Sequence, residues 1–243
     1  VSDSATCTAL IGTNGDLDLT VGTPCNGASQ TVTAWIGAST ARVSKIYDQT
    51  AGNACGGASC DLVQATAGNQ PTLFLTGGGG SGTKPYIEVI NQSSGQLESA
   101  NNFTPNAAAL ISLSVMGNRT STTSVARLVT ANNNANNVIS PGSANVWNSN
   151  IAGTATDAVW HAAQAAKSTV AGASVLNIDC TETTGTGSVT LTAGHPIILD
   201  TIGTSVGIAL GEAGIQDNAQ WSGAVRTDLT HNQRLYWGTA GSC

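Results

Sequence analysis

Trp147 stands in the run Asn145-Val146-Trp147-Asn148-Ser149-Asn150, a planar apolar ring with amide groups on both sides. A ring of that kind can stack on the C–H face of a ring-shaped polar ligand. The amides of Asn148 and its neighbours both donate and accept, which suits hydroxyl groups. Asp48 and Gln49 follow Tyr47 at the start of a long polar, glycine-rich loop. They are candidates for contacting a ligand or a calcium ion, although a turn aspartate more often bonds backbone amides. Glutamate is scarce: Glu88, Glu98, Glu182 and Glu212 are the full set. Glu212 is the candidate acid or hydroxyl acceptor. The three histidines, His161, His195 and His231, show no spacing with Ser and Asp that reads as a nucleophilic triad. His161 beside Trp160 reads as a sheet residue, and Trp160 and Trp237 read as core.

The surroundings of these residues limit the partners. Charged residues make up 9% of the 243-residue chain, the net charge is −6, and Ser, Thr, Asn and Gly fill the surface. The eight basic residues are scattered, so there is no electrostatic footprint for nucleic acid. No apolar run approaches the ~20 residues that span a bilayer. Neutral poly- or oligosaccharide is a compatible partner, and so is self-association. No cofactor is implied, and calcium is compatible with Asp48 without being indicated by a ligand spacing. The chain begins at Val1 in polar sequence, as a processed, secreted or surface-displayed product does.

Six cysteines lack the paired spacing of a zinc site, and disulfides in an oxidising compartment are the better reading. Fifteen pairings exist. The expected set is Cys7–Cys25, Cys55–Cys60 and Cys180–Cys243, two local loops and one tether for the C-terminus.

The elements read as short strands punctuated by Gly and Asn turns. Val43–Tyr47, Leu73–Leu75, Lys84–Ile90, Ala108–Met116, Ser124–Thr130, Asn145–Asn148, Ser174–Cys180, Ile197–Leu199, Gly207–Ile215 and Trp221–Val225 are the expected strands. Trp35–Tyr47 is expected to be extended, Gly117-Asn118 to turn, and Gly77–Gly80 to supply freedom where no packing is needed. Asp157–Ser168 stays open between helix, which its alanines favour, and strand. Thr227 or Asp228 is expected to cap one short helix, Leu229–Trp237. The sum is an all-β, two-sheet antiparallel sandwich. It forms a single domain over residues 1–243, with a disulfide-pinned flap at 1–30 and a terminal helix at 229–237.

The central loop reads Tyr47-Asp48-Gln49-Thr50, then Gly52-Asn53, then Asp61-Leu62-Val63-Gln64-Ala65. It resembles the Tyr-Asp-Gln-Ser-Gly … Gly-Asn-x-Leu-x-Gln-Ala text of the arabinofuranosidase B catalytic domain. Trp160-His161 with Val175–Asp179 is similar to a strand pair of concanavalin A-like, laminin-G-like jelly rolls. Leu210–Ile215 and Asn232–Trp237 resemble their closing strand and terminal helix. The resemblance spans residues 40–238 and implies a jelly roll. It also implies retaining arabinoside hydrolysis by two carboxylates ~5–5.5 Å apart. The position similar to the family's acid is Glu212, after Gly211. The family's Asp-Leu-Glu-Asn nucleophile text has no counterpart between residues 100 and 200, where Glu182 is the sole glutamate. The leading expectation is therefore an extracellular carbohydrate-recognising jelly roll without hydrolysis. An arabinofuranosidase-type hydrolase is the alternative, and a structural module of a filament or virion surface is the second alternative.

Overall fold

The computed structural model describes residues 32–48, 55, 57–90, 95–105, 110–119, 126–131, 138–141, 146–148, 152–154, 158–170, 172–186, 190, 193–201, 207–217, 222–239 and 243. The chain forms two compact units, residues 1–41 and 42–243. In the first, helix α1 (Val32–Ile36) carries Trp35 and ends at Gly37, whose φ is 57°. The extended reading of Trp35 is therefore corrected. Strand β1 (Ala41–Arg42) lies at the boundary. Cys7, Cys25 and Gln49 lie outside the described residues.

The larger unit holds β2 (Lys45–Ile46), β3 (Leu62–Val63), β4 (Thr72–Gly78), β5 (Lys84–Ile90), β6 (Leu97–Ser99) and β7 (Leu110–Arg119). Then come β8 (Ala126–Thr130), β9 (Val138–Pro141), β10 (Val146–Asn148), β11 (Ala152–Thr154) and β12 (Trp160–Ser168). β13 (Val175–Ile178), β14 (Thr181–Thr184), β15 (Ile197–Thr201), β16 (Gly207–Asp217) and helix α2 (Gly223–Trp237) complete it. One antiparallel sheet runs β4-β5-β16-β7-β12-β13-β14, and the other runs β11-β10-β9-β8-β15-β6-β3-β2. This is a two-sheet sandwich with one C-terminal helix.

Alternation on β7 sets the layers. Ile111, Leu113 and Val115 join the core between the sheets, while Met116 packs with Trp160, Ala162, Ala209 and Trp237 on the helix side. β12 settles the open choice at Asp157–Ser168 in favour of a strand. Every residue from Trp160 to Ser168 is buried, with Ala163 and Ala165 in the sandwich core and Ala162 under the helix. Helix propensity is a weak prior that burial on both faces overrides. Gly117 and Asn118 are not a turn. They pair with His161 and Trp160 within β7, where the Gly117 position leaves room for Leu128 of the other sheet.

The helix begins at Gly223, six residues before the expected start, and no strand is described at Trp221–Val225. Ser222 caps it by accepting from the Val225 amide at 3.3 Å. Arg226, Thr230, Gln233, Arg234 and Trp237 form the buried stripe. These residues are mostly polar, so hydrophobic periodicity does not announce the first two turns. Gly78–Gly80 also serve packing as well as freedom: a Cβ on Gly79 or Gly80 would sit 2.1 or 2.2 Å from the carbonyl oxygen of Trp237 or Gly238. Gly211 lies under the Trp237 ring, where a Cβ would approach to 2.1 Å. Gly211→Ala is expected to cost about 1–3 kcal/mol by overpacking, read as a lower urea midpoint.

Lys167 on β12 opposes Ile111 of β7 and has no exposed surface. Its Nζ has no hydrogen-bond partner among the described residues. Burial lowers its pKa from 10.5 to about 7. Between those values the unfolded chain binds a proton that the folded chain does not, so stability rises with pH from about 7 towards 10.5. Lys167→Met is expected to stabilise the protein at neutral pH by on the order of a few kcal/mol and to flatten that rise. Chemical denaturation at several pH values reads both.

Candidate functional site

Glu212 sits on β16 where its register against β7 shifts, between Leu210 and Glu212. Its Oε1 accepts from Gln233 Nε2 at 3.1 Å and its Oε2 from Trp237 Nε1 at 3.3 Å. Both donors belong to α2. The carboxylate is one end of a polar seam along the helix. Gln233 Nε2 also reaches Ser114 Oγ at 3.1 Å, and Gln164 Nε2 donates to Gln233 Oε1 at 2.6 Å. The Thr230 hydroxyl lies within reach of Gln164 Oε1, of Asn177 Oδ1 and of the Arg226 carbonyl, and its single proton serves one of them at a time. Arg226 Nη2 pairs with Glu182 Oε2 at 2.8 Å at the helix start. Among the described residues, the hydrogen-bond partners of Glu212 are thus an amide and an indole.

Asp48 shapes its own loop. Its Oδ2 accepts from the Cys60 amide at 3.0 Å, and its amide donates to Asp61 Oδ1 at 2.9 Å. Lys45 Nζ, 2.7 Å from Asp61 Oδ2, together with Ser59 and the Asp48 amide, lowers the Asp61 pKa to about 2. Cys55 and Cys60 are joined with Cα atoms 5.2 Å apart, and Cys180 and Cys243 with 5.4 Å. Two disulfides fit an oxidising, extracellular compartment. No helix among the described residues is long and apolar enough to cross a membrane. No group of three or more His, Cys, Asp and Glu side chains among them is placed to hold a metal ion.

Trp147 and Asn148 lie on β10, paired with β9 and β11 in the second sheet. Glu212 lies in the first. The strands that carry these candidates belong to different layers of the sandwich.

A cluster that the sequence does not announce occupies the second sheet. Leu97, Ile198, Val129 and Ile139 form a cross-strand row in the core. The adjacent row, Lys45, Val63, Glu98, Ile197 and Thr130, points the other way by alternation. It is exposed at Lys45 and Val63 and buried at Ile197 and Thr130, whose Oγ1 has no partner among the described residues. Glu98 Oε1 meets His195 Nδ1 at 3.1 Å, and Glu98 Oε2 accepts from Gln96 Nε2 at 2.9 Å. Leu199, at φ 54°, interrupts the alternation. Beyond it, Asp200 opposes Arg127 and accepts from Arg127 Nη1 at 2.8 Å. Burial raises the Asp200 pKa, Arg127 opposes that shift, and the Glu98 charge adds to it. Glu98 and His195 are 97 positions apart, and Arg127 and Asp200 are 73 apart. No local motif can join such pairs.

No family model and no curated protein sequence matches the chain. The arabinofuranosidase B resemblance therefore rests on the quoted residues alone. Among solved structures, the chain is similar to the binding domain of Paraclostridial Mosquitocidal Protein 1, with 15% identity and a TM-score of 0.47 over 70% of this chain and 49% of that one. Trypanosoma rangeli sialidase in complex with sialic acid gives 9% identity and 0.46 over 79% and 33%. The binding domain of Botulinum Neurotoxin DC in complex with SialylT gives 10% and 0.45 over 81% and 51%. The chain thus spans about half of the two toxin chains and about a third of the sialidase chain. Likeness at this level carries no functional argument, and the sandwich stands on its own strand order.

Glu212→Ala would leave the Trp237 indole without its acceptor, while Gln233 keeps Ser114. It is expected to lower stability by about 1–3 kcal/mol, and Glu212→Gln by less, because one acceptor oxygen is kept. Urea titration of both variants checks the ranking.

Proposed function

We propose that this chain is an extracellular carbohydrate-recognising β-sandwich whose ligand lies across the second sheet, on the face that presents Glu98. The observation that carries this reading is the placement of charge. In a chain with 9% charged residues, Lys45, Asp61, Glu98, Arg127 and Asp200 lie on or beside one sheet, with His195 and Gln96 bonded into the set. Ion-paired carboxylates and amides present donors and acceptors in fixed directions without a large net charge, which suits hydroxyl-rich neutral ligands. Trp147 and Asn148 lie on β10 of the same sheet. Glu212 takes no part, because it fastens the helix to the other sheet. Glycan binding followed by calorimetry tests the reading. Glu98→Gln and Arg127→Met are expected to weaken binding about tenfold or more, while Glu212→Gln leaves it unchanged. The reverse pattern would reject this face.

A hydrolase is the second reading, favoured by one observation. Asp200 has its pKa raised by burial, and it feels the charge of Glu98. Acid–base cleavage of a glycosidic bond uses two neighbouring carboxylates in different environments. In this reading Asp200 and Glu98 are the candidate carboxylate pair. Product release from aryl arabinofuranosides, abolished in both Asp200→Asn and Glu98→Gln, is the expected result. Absence of release at high protein concentration leaves a binding module.

A further inference from the structure

A concavity lies on the opposite layer, where the end of α2 meets the β13–β14 turn and the start of β12. It encloses about 270 Å³. Val159 and Trp160 form one wall, Asp179 and Arg234 another, and Gly80, Gly238 and Thr239 close the rim. None of the functional residues proposed above lines it.

Its backbone is unusual. Four non-glycine residues among those described have positive φ: Ala158, Asp179, Cys180 and Leu199. Asp179 is in the cleft wall, Ala158 precedes Val159, and Cys180 follows Asp179, so three of the four lie in or beside this wall. Asp179 and Cys180 are the two central residues of the β13–β14 hairpin, whose turn calls for positive φ at both, whereas Ala158 holds a conformation that costs of order 1–3 kcal/mol. Asp179 Oδ1 accepts from the Ala162 amide at 3.0 Å, and its Oδ2 meets His161 Nδ1. Arg234 Nη1 donates to the Asp179 carbonyl at 3.1 Å. The Cys180–Cys243 disulfide anchors the turn from its other side. Arg234 is 8% exposed, and its Nε is buried with no hydrogen-bond partner among the described residues. Arg234 is nevertheless one of the residues that line the cleft.

From these features we infer that this cleft binds one unit of a neutral saccharide or similar polyol through a vicinal diol. A guanidinium donates and a carboxylate accepts, so adjacent hydroxyls can satisfy both at once. Their charges offset one another, which selects a neutral ligand over an ion. The half-exposed Val159 and the edge of Trp160 supply the apolar wall for the C–H face. The volume suits a single ring and not an extended chain. The site is separate from the second-sheet surface and does not depend on its role.

The test is NMR titration of the whole chain with the methyl glycosides of arabinose, galactose, glucose and mannose, and with their fully O-methylated counterparts. At least one glycoside is expected to give saturable shifts at Val159, Asp179 and Thr239, and the O-methylated forms are expected to give none. Val159→Trp starts from an exposed position and fills the cleft without removing a buried group. It is expected to weaken binding about tenfold or more, and Thr239→Val to weaken it less. Glu98→Gln should leave these shifts intact, which separates this cleft from the second sheet. Absence of saturable shifts with every glycoside, or binding that Val159→Trp does not change, overturns the inference.

Discussion

The structure depends on a buried polar seam. Thr230 and Gln233 of α2 meet Ser114, Gln164 and Asn177 of the first sheet, and the exposed Glu212 closes the row at its outer end. Thr230 has no exposed surface, Gln164 has none, and Gln233 has 3%. Each of these groups would cost free energy if buried unpaired, so the helix docks in the register that pairs them. Hydrophobic contact alone allows sliding, whereas directional partners do not. Trp237 then stacks on Trp160, with ring centroids 5.6 Å apart, and Tyr86 meets Trp160 edge-on at 5.4 Å. Gly78–Gly80 and Gly211 are small where the helix end and its tryptophan press on the sheet.

One consequence is a division of labour between the layers. The helix takes the outer face of the first sheet and engages Glu212 with it. A carboxylate that already accepts from an amide and an indole is a fastening. The second sheet instead gathers charge: Glu98 with His195, and Asp200 with Arg127, at the core's edge. Partial burial keeps such pairs fixed and makes them directional, and it is the physical reason the Asp200 carboxyl resists ionisation.

The sandwich was legible in the sequence because its signals are local. Period-2 alternation gives β5 and β7, and Trp237 marks the helix end, whereas the expected caps Thr227 and Asp228 lie inside the helix that Ser222 caps. The Cys55–Cys60 loop was legible for the same reason. Other features were not, and each failure has a cause. Gly117-Asn118 has the composition of a turn, but the bulk of Leu128 on the facing sheet calls for a residue without Cβ inside a strand. Alanines in β12 suggested helix, but burial on both faces decided for strand. The helix start was hidden because its buried stripe is polar. Glu212 stood out through Gly211 before it, yet that glycine serves the Trp237 ring. The Glu98–His195 and Arg127–Asp200 pairs depend on strand order, which nothing near them in sequence encodes.

Hydrogen–deuterium exchange of the whole chain with and without soluble arabinoxylan tests the division of labour most directly. The account predicts slowed exchange in peptides covering 45–63, 97–99, 126–130 and 195–201, with β16 and the first turns of α2 unchanged. Protection confined to β16 and α2, or none on the second sheet at saturating polysaccharide, would contradict it.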